Sequence, residues 1–203
     1  MPEKHPLSSH IPEQAIPYVE SLLENTRVTI YITGQRKSKH GSFSEKGRDG
    51  RFRITVSRNN NPYAFLFTLI HEIAHLKVFS IYGRKALPHG EEWKDCFRQL
   101  MLPLLKDKVF PEDLTIVLAN HLLNPAASSG TDPLLVKFMA RYDHAGSNGH
   151  VFVDTLKDGE SFFFHNRKFT RLHLIRKRIK CREESTKKIY LFSPVAEVLP
   201  LRS

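Results

Sequence analysis

The stretch at residues 63–79 (YAFLFTLIHEIAHLKVF) is apolar on nearly every side, and it constrains the fold of this chain more than any other feature. Asn59-Asn60-Asn61 directly before it offers N-cap residues, and Pro62 suits the first position of a helix. A helix that is hydrophobic all round has to be buried. The sequence therefore predicts a long core helix at this point.

Two histidines and a glutamate interrupt this apolar helix in the order His71-Glu72-Ile73-Ala74-His75, which is the HExxH pattern of zinc hydrolases. Residues four apart share a helix face, so His71 and His75 can offer nitrogens to one metal ion, with Glu72 as general base. The alternative is an ordinary amphipathic helix with two surface histidines. The apolar flanks disfavour it, because buried imidazoles and a buried carboxylate need partners.

A catalytic zinc site takes three protein ligands and keeps a fourth position open, so the rest of the chain has to supply one ligand. The metzincin class is excluded, since Val78 and Ile81 stand where that class has glycine and histidine. An acidic third ligand would have to be Asp95, Glu91 or Glu92. Their spacing from the helix fits the thermolysin pattern poorly, so they remain the second choice.

His89 is the preferred third ligand. It lies between Pro88 and Gly90, which indicate the start of a second helix. That helix has an apolar stripe formed by Trp93, Phe97, Leu100 and Met101. His89 would then lie at the mouth of a packed helix, where it can approach His71 and His75.

These stretches resemble the SprT-like zinc metallopeptidases, the family that includes the Spartan proteases. The resemblance rests on LFTLIHEIAHL, on His89-Gly90-x-x-Trp93, and on SKHGSF with RFRITVS, which is similar to the basic hairpin of the family. It extends over roughly residues 10–200, with the specific motifs inside 38–97. The resemblance implies one catalytic Zn²⁺ bound by His71, His75 and His89, with Glu72 as the general acid/base.

Composition and charge bear on partners. The chain has 203 residues, 40% of them hydrophobic and 26% charged, which is typical of a folded globular protein. Its net charge of +10 is concentrated in two runs, residues 36–58 and 165–182. The candidates for phosphate contacts are Arg36, Lys37, Lys39, Arg167, Lys168, Arg171, Arg176, Lys177 and Arg178. The alternative is a generally basic, solvated surface, because charge runs alone do not prove a nucleic-acid partner.

Aromatic residues interleave with the second basic run. Phe162, Phe163, Phe164, Phe169 and Tyr190 could stack on bases, although alternating phenylalanines in a strand more often form a core. The sequence also shows no apolar run of 18 residues and no secretory signal. We therefore expect a cytoplasmic protein without a membrane partner, associated with the nucleoid if bacterial.

The expected architecture is α+β: a zincin-like metallopeptidase domain at residues 1–142, in which the HExxH helix packs against a small β-sheet, then a linker at 143–149. Before that helix, residues 27–33 and 50–57 read as strands, with a flexible basic loop between them. An edge strand beside the site would let an extended peptide add by backbone hydrogen bonding. Further helices are predicted at residues 11–23, at 111–125 and from Thr131 to about Tyr142.

Residues 150–203 are predicted to form a small, basic, β-rich domain. Asp158-Gly159 indicates a hairpin that joins VFVDTL to ESFFF, and strands follow near residues 169–174, 176–181 and 188–192. The domain resembles the zinc ribbon found in many SprT-like proteins, but it lacks the two CxxC pairs. Cys181 stands alone there and Cys96 lies in a helix, so neither a structural zinc nor a disulfide framework is expected.

Taken together, these features predict a zinc-dependent endopeptidase in which zinc-activated water attacks the scissile bond and Glu72 transfers the proton. The SprT-like resemblance implies a DNA-associated enzyme of DNA repair that cleaves DNA-bound or DNA-crosslinked proteins. One alternative is a DNA-associated protein acting in transcription with a non-catalytic zinc site. Another is a zinc peptidase with no DNA partner.

Overall fold

The computed structural model describes residues 7–34, 40–45, 47, 49–58, 61–126, 132–143 and 149–201. It divides the chain into two compact units, residues 1–144 and 145–203. Helices and a small sheet form the first unit, whereas the regular elements described in the second are strands apart from one short 3-10 turn. The α+β class predicted from the sequence is confirmed.

The first unit combines a mixed three-stranded sheet with five helices among its described residues. The sheet has the strand order β1-β3-β2, with β1 parallel to β3 and β2 antiparallel to β3. The central strand β3 is therefore flanked by two edge strands. The elements are α1 (Ile16–Leu23), β1 (Val28–Thr33), β2 (Gly41–Ser44), β3 (Phe52–Ser57), α2 (Pro62–Tyr82), α3 (Glu91–Lys106), α4 (Glu112–Leu123) and α5 (Pro133–Ala140).

The strand β2 corrects one expectation. The segment between the two predicted strands was expected to be a flexible loop, but residues 41–44 of it pair with β3. The hairpin implied by the SprT-like resemblance therefore forms. Residues 35–39, which include Arg36, Lys37 and Lys39, lie outside the described residues.

The helix α2 forms the centre of the first unit and contacts β2, β3 and α3. It begins as predicted: Pro62 occupies the first turn, and the side chain of Asn61 accepts hydrogen bonds from the backbone N–H groups of Tyr63 and Ala64. Ten of its residues are buried, Glu72 among them. The predicted core helix is confirmed.

By length and composition α2 is also long and apolar enough to cross a membrane, with a mean hydropathy of 1.4 over its most apolar window. That window is 56% buried inside the structure. The buried residues pack with the apolar stripe of α3, where Trp93, Phe97 and Met101 are wholly buried. The apolar composition of α2 is therefore accounted for by its place in the core of the unit.

The second unit is a six-stranded sheet with the order β4-β9-β5-β6-β7-β8, in which the recorded pairs are antiparallel. One face carries a small core of eight buried residues, among them Phe162, Phe169 and Cys181. These two phenylalanines are core residues and not stacking platforms. The strands are β4 (Val151–Phe152), β5 (Ser161–Phe164), β6 (Arg167–Ile175), β7 (Arg178–Glu183), β8 (Ile189–Phe192) and β9 (Glu197–Pro200).

The predicted hairpin at Asp158-Gly159 is wrong. The strand β4 pairs with β9, and β5 pairs with β6 and β9, so no ladder joins the two strands that flank this turn. The turn instead contacts β6, because Asp158 forms an ion pair with Arg171 and the Gly159 N–H donates to the Arg171 carbonyl at 2.8 Å. The tight β5–β6 turn falls at His165-Asn166, where both residues have positive φ.

Candidate metal centre

Three histidine side chains from two helical segments meet in the first unit. His71 and His75 lie one turn apart on α2, and His89 lies in the turn just before α3. Their Nε2 atoms form a triangle with sides of 3.1 Å (His71–His89), 3.2 Å (His71–His75) and 3.0 Å (His75–His89). The structure therefore brings together all three histidines that the sequence predicted as ligands.

The turn that carries His89 has an unusual backbone. His89 has φ +60°, a left-handed conformation that non-glycine residues seldom adopt and that costs on the order of 1 kcal/mol or more. The Gly90 N–H closes the turn on the Leu87 carbonyl at 2.9 Å, and Gly90 then caps α3. This geometry aims the His89 imidazole back towards α2.

Trp93 packs against the whole histidine triangle. The centroid of its ring system lies 4.6 Å from that of His71, 5.3 Å from that of His75 and 4.7 Å from that of His89. Trp93 is wholly buried and stacks on Phe97 with a centroid distance of 5.0 Å. Sequence reasoning placed Trp93 in the core but missed that its ring holds the three imidazoles in place. The position of Trp93 in the His89-Gly90-x-x-Trp93 motif was the sequence signal that could have indicated this role.

Hydrogen bonding alone cannot satisfy the triangle. Each neutral imidazole Nε2 is either a donor or an acceptor, so among three mutually adjacent atoms at least two must be of the same kind. A cation at the centre would let all three act as lone-pair donors. In a tetrahedral zinc site with bonds of 2.0–2.1 Å the nitrogens stand about 3.3 Å apart, close to the separations here. The donor set therefore fits a zinc ion.

The protonation states agree with that fit. Burial lowers the pKa of His71 to about 3, with the neighbouring charges of His75 and His89 adding to the effect. Burial and the charge of His89 lower the pKa of His75 to about 4, and burial also lowers the pKa of His89. The three rings are thus neutral near pH 7, which is the form that binds metal ions.

Glu72 lies between the two α2 histidines in sequence and is 5% exposed. Its carboxylate faces the strand β2, since a Cβ built on Gly41 would lie 2.5 Å from Glu72 Oε1. A buried carboxylate on the residue that follows His71 is a candidate to accept and return a proton at the site. Its role as general acid/base stays a prediction.

The acidic alternatives for the third ligand do not join the cluster. Among the described residues, the one group of three or more potential ligands is His71, His75 and His89. Glu91 and Glu92 are exposed, and the Glu91 carboxylate accepts a hydrogen bond from Lys94 at 2.8 Å. Asp95 is exposed as well and forms an ion pair with Arg98. The geometry thus favours His89.

The predicted phosphate contacts in the second unit fall into two groups. Arg167 is bound by Glu183 at 2.5 Å and by the Tyr190 hydroxyl at 2.7 Å, and Arg171 pairs with Asp158. Both guanidinium groups are thus engaged within the unit. The other group is exposed and forms no ion pair with a residue that the structure describes; it comprises Lys168, Arg176, Lys177 and Arg178.

Comparisons with known proteins agree with this geometry. Residues 18–111 match the sequence profile described as the SprT-like family. The chain is similar to Protein SprT of Pseudomonas fluorescens (strain SBW25), with 39% identity over 44 residues, which is 22% of this chain and 27% of that protein. Protein SprT of Vibrio parahaemolyticus is 54% identical over 35 residues, 17% of this chain and 21% of that protein.

These alignments span about a quarter of the length of the curated relatives. No solved structure gives a significant match to this chain. The profile match nevertheless contains every residue of the histidine triangle together with Glu72 and Trp93. The resemblance read from the sequence motifs is therefore confirmed over residues 18–111, which match the SprT-like family.

Proposed function

We propose that this chain is a zinc-dependent endopeptidase whose SprT-like domain cleaves peptide bonds in DNA-bound or DNA-crosslinked proteins. The observation that carries the proposal is the triangle of three histidine nitrogens 3.0–3.2 Å apart, two of them from the helix that also carries the buried carboxylate of Glu72. Three ligands with an adjacent carboxylate are typical of a catalytic zinc site, whereas a structural site closes with four ligands.

A zinc ion held by His71, His75 and His89 would supply Lewis acidity, which polarises a carbonyl and lowers the pKa of water towards about 7. The protein residues would supply the rest. Glu72 would take a proton on its carboxylate and return it to the leaving amine. Trp93 would hold the three imidazole rings in one orientation and keep solvent from their inner side.

The edge of β2 that pairs with no described strand supports a peptide substrate. The Ser57 N–H donates to the His40 carbonyl at 2.7 Å, which makes these two residues a hydrogen-bonded pair of the β2–β3 ladder. In an antiparallel ladder the pairs alternate, so the backbone N–H and C=O groups of Gly41 and Phe43 point away from β3. An extended chain could pair with them through its backbone alone, which suits broad sequence specificity.

Digestion of casein in the presence of zinc tests the peptidase proposal. Replacing the carboxylate in Glu72→Gln should lower the rate by about 10²- to 10⁴-fold, the usual contribution of a general acid or base. Glu92→Gln, at an exposed position in the first turn of α3, is the matched control and should keep the wild-type rate. Equal rates for wild type and Glu72→Gln would overturn the proposal.

DNA association is the second part of the proposal. It is supported by the net charge of +10 and by the exposed cations at Lys168, Arg176, Lys177 and Arg178. If these side chains contact phosphates, the logarithm of the binding constant should fall linearly with the logarithm of salt concentration, with a slope of about −0.7 to −0.9 per phosphate contact. Fluorescence anisotropy with a labelled single strand and a labelled duplex measures this slope. Absence of binding at low salt would contradict DNA association.

The same assays separate the two alternatives. A protein that acts in transcription with a non-catalytic zinc site would bind DNA and zinc without Glu72-dependent digestion. A zinc peptidase with no DNA partner would digest casein equally with and without DNA, and it would show no salt-dependent binding. The proposed enzyme shows both Glu72-dependent digestion and salt-dependent DNA binding.

A further inference from the structure

Gly41, the first residue of β2, lies against Glu72 of the HExxH motif. A Cβ at this position would lie 2.5 Å from Glu72 Oε1, 2.9 Å from Glu72 Cγ and 2.7 Å from Thr68 Cγ2. Distances below 3.0 Å are essentially never seen for real Cβ atoms. Any side chain at position 41 would therefore displace the strand, the carboxylate or both.

The backbone conformation does not require glycine here. The glycines with positive φ among the described residues are Gly50, Gly83, Gly149 and Gly159, so Gly41 has a conformation that other residues adopt without strain. Space is thus the physical reason for glycine at position 41. Such a glycine marks a place where a backbone must approach another group closely.

The neighbours of Gly41 have little freedom to move away. Glu72 is 5% exposed and lies in the middle of α2, next to His71. The hydroxyl of Thr68 donates to the Ala64 carbonyl at 2.9 Å, so turning its methyl group away would cost that bond. Further along the same face of β2, Phe43 packs on Phe79 with a centroid distance of 5.7 Å and fixes the strand against α2.

Gly41 also belongs to an edge strand of the sheet, as the described strands define it. Its N–H and C=O point away from β3, as the Ser57–His40 hydrogen bond establishes. The same residue therefore presents backbone groups to an added strand and leaves room for the carboxylate of Glu72. A Cβ built on any other described glycine would lie 2.9 Å or more from its nearest neighbouring atom, so none of them approaches a carboxylate as closely as Gly41 does.

We propose that Gly41 is a positioning residue for peptide hydrolysis: because it lacks a Cβ, the substrate-binding edge of β2 and the carboxylate of Glu72 can lie in direct contact. This inference rests on the proposed peptidase function and gives a role to a residue that the sequence analysis recorded only as part of the SKHGSF stretch. A bound peptide paired at Gly41 is thereby held next to the proton-transferring group. Displacement by about 1 Å can cost about 10²-fold in rate.

Gly41→Ala is the direct test, and Gly34→Ala is its matched control. Gly34 follows β1, has no positive φ, and has no atom within 4 Å of the place its Cβ would occupy. We expect Gly41→Ala to lower kcat about 10- to 100-fold, with a smaller change in KM and an unchanged zinc content per chain. Gly34→Ala should keep wild-type kinetics. Wild-type kcat in Gly41→Ala would overturn the inference.

A double-mutant cycle with Glu72→Gln gives a readout that a merely structural role would not produce. If Gly41 acts through the carboxylate, adding Gly41→Ala to Glu72→Gln should lower the remaining rate by less than about threefold. Independent, multiplying effects would overturn the inference. If the wild type itself lacks Glu72-dependent digestion, the proposed function fails and the inference fails with it.

A second variant keeps the test valid if Gly41→Ala is poorly folded. Gly41→Ala/Thr68→Ser removes the methyl group that lies 2.7 Å from the added Cβ and keeps the hydroxyl that bonds Ala64. Thermal unfolding should show stability regained relative to Gly41→Ala, while kcat stays low because the contact with Glu72 remains. Recovery of kcat together with stability would show that Gly41 serves packing alone, which contradicts the proposal.

Discussion

Asn61 offers the sharpest stability test, because one buried side chain joins the start of α2 to the end of α5. Its Oδ1 accepts hydrogen bonds from the N–H groups of Tyr63 and Ala64 at 3.0 and 3.1 Å, and its Nδ2 donates to the Met139 carbonyl at 2.5 Å. Asn61 is wholly buried. The contact ties the helix of the HExxH motif to the last helix of the first unit.

The cost of Asn61→Ala can be worked out from these bonds. Loss of an N-cap side chain costs about 1 kcal/mol. The Met139 carbonyl keeps its hydrogen bond from the Tyr142 N–H at 3.0 Å, so losing the Asn61 donor costs roughly another 1–1.5 kcal/mol and not the full penalty of an unsatisfied group. We expect the free energy of unfolding to fall by about 2–2.5 kcal/mol. With a urea m-value of about 2 kcal/mol/M, the midpoint shifts down by about 1–1.3 M.

Fluorescence of Trp93 is the appropriate assay. The chain has 1 tryptophan, and it is wholly buried in the first unit, so its signal reports the unfolding of that unit separately from the second. Asn124→Ala, at the exposed C-cap of α4, is the control and should stay within about 0.5 kcal/mol of wild type. A midpoint shift below about 0.3 M for Asn61→Ala would refute the reasoning.

Three further predictions concern the metal, the DNA and the pH. His89→Ala should lose bound zinc in elemental analysis after gel filtration, whereas Glu91→Ala should retain it; the reverse result would make Glu91 the third ligand. Lys177→Ala should reduce the salt slope of DNA binding by about 1, and an unchanged slope would exclude a phosphate contact there. Hydrogen bonds from Arg167, and then from Thr186, lower the pKa of Glu183 from 4.5 to about 2. Because the folded pKa is depressed, Glu183 stabilises the second unit above pH 4.5, and hydrogen exchange of β7 amides should accelerate as pH falls from 4.5 towards 2, once corrected for intrinsic rates. Arg167→Ala should weaken this extra pH dependence, because it removes the larger of the two hydrogen-bond contributions to the pKa of Glu183.

The helices were predictable because their signals are local. The start of α2 follows from Asn61 and Pro62, and α3 follows from Gly90 together with its apolar stripe. The sequence placed the start of α5 at Thr131, which lies outside the described residues. In the structure the N-cap is Asp132, whose Oδ1 accepts hydrogen bonds from the N–H groups of Leu134 and Leu135. Neighbouring residues of cap-forming type cannot be told apart by composition, so helix starts are predictable to within one or two positions.

The pairing in the second unit was less predictable, because a turn signal does not state which strands it joins. Asp158-Gly159 does form a turn, with Gly159 at φ +89°. The strand before it, β4, is two residues long and pairs with β9 from the end of the chain. An Asp-Gly dipeptide strongly favours a hairpin between the two strands that flank it. Here the turn is instead held against β6 by the ion pair of Asp158 with Arg171, and β4 pairs with β9. Long-range pairing of this kind leaves no local pattern.

The metal centre shows the same division between local and long-range information. The spacing of His71 and His75 on one helix face and the turn before α3 were enough to predict the triangle, since both are properties of short segments. The contact of Gly41 with Glu72 was not predictable, because it depends on the strand order β1-β3-β2. In a simple meander β2 would be the central strand, with both of its edges paired. The parallel pairing of β1 with β3 instead leaves β2 at the edge of the described sheet, where Gly41 lies against the carboxylate of Glu72. Periodicity fixes which face of a strand is buried, but the order of strands follows from packing across the whole unit.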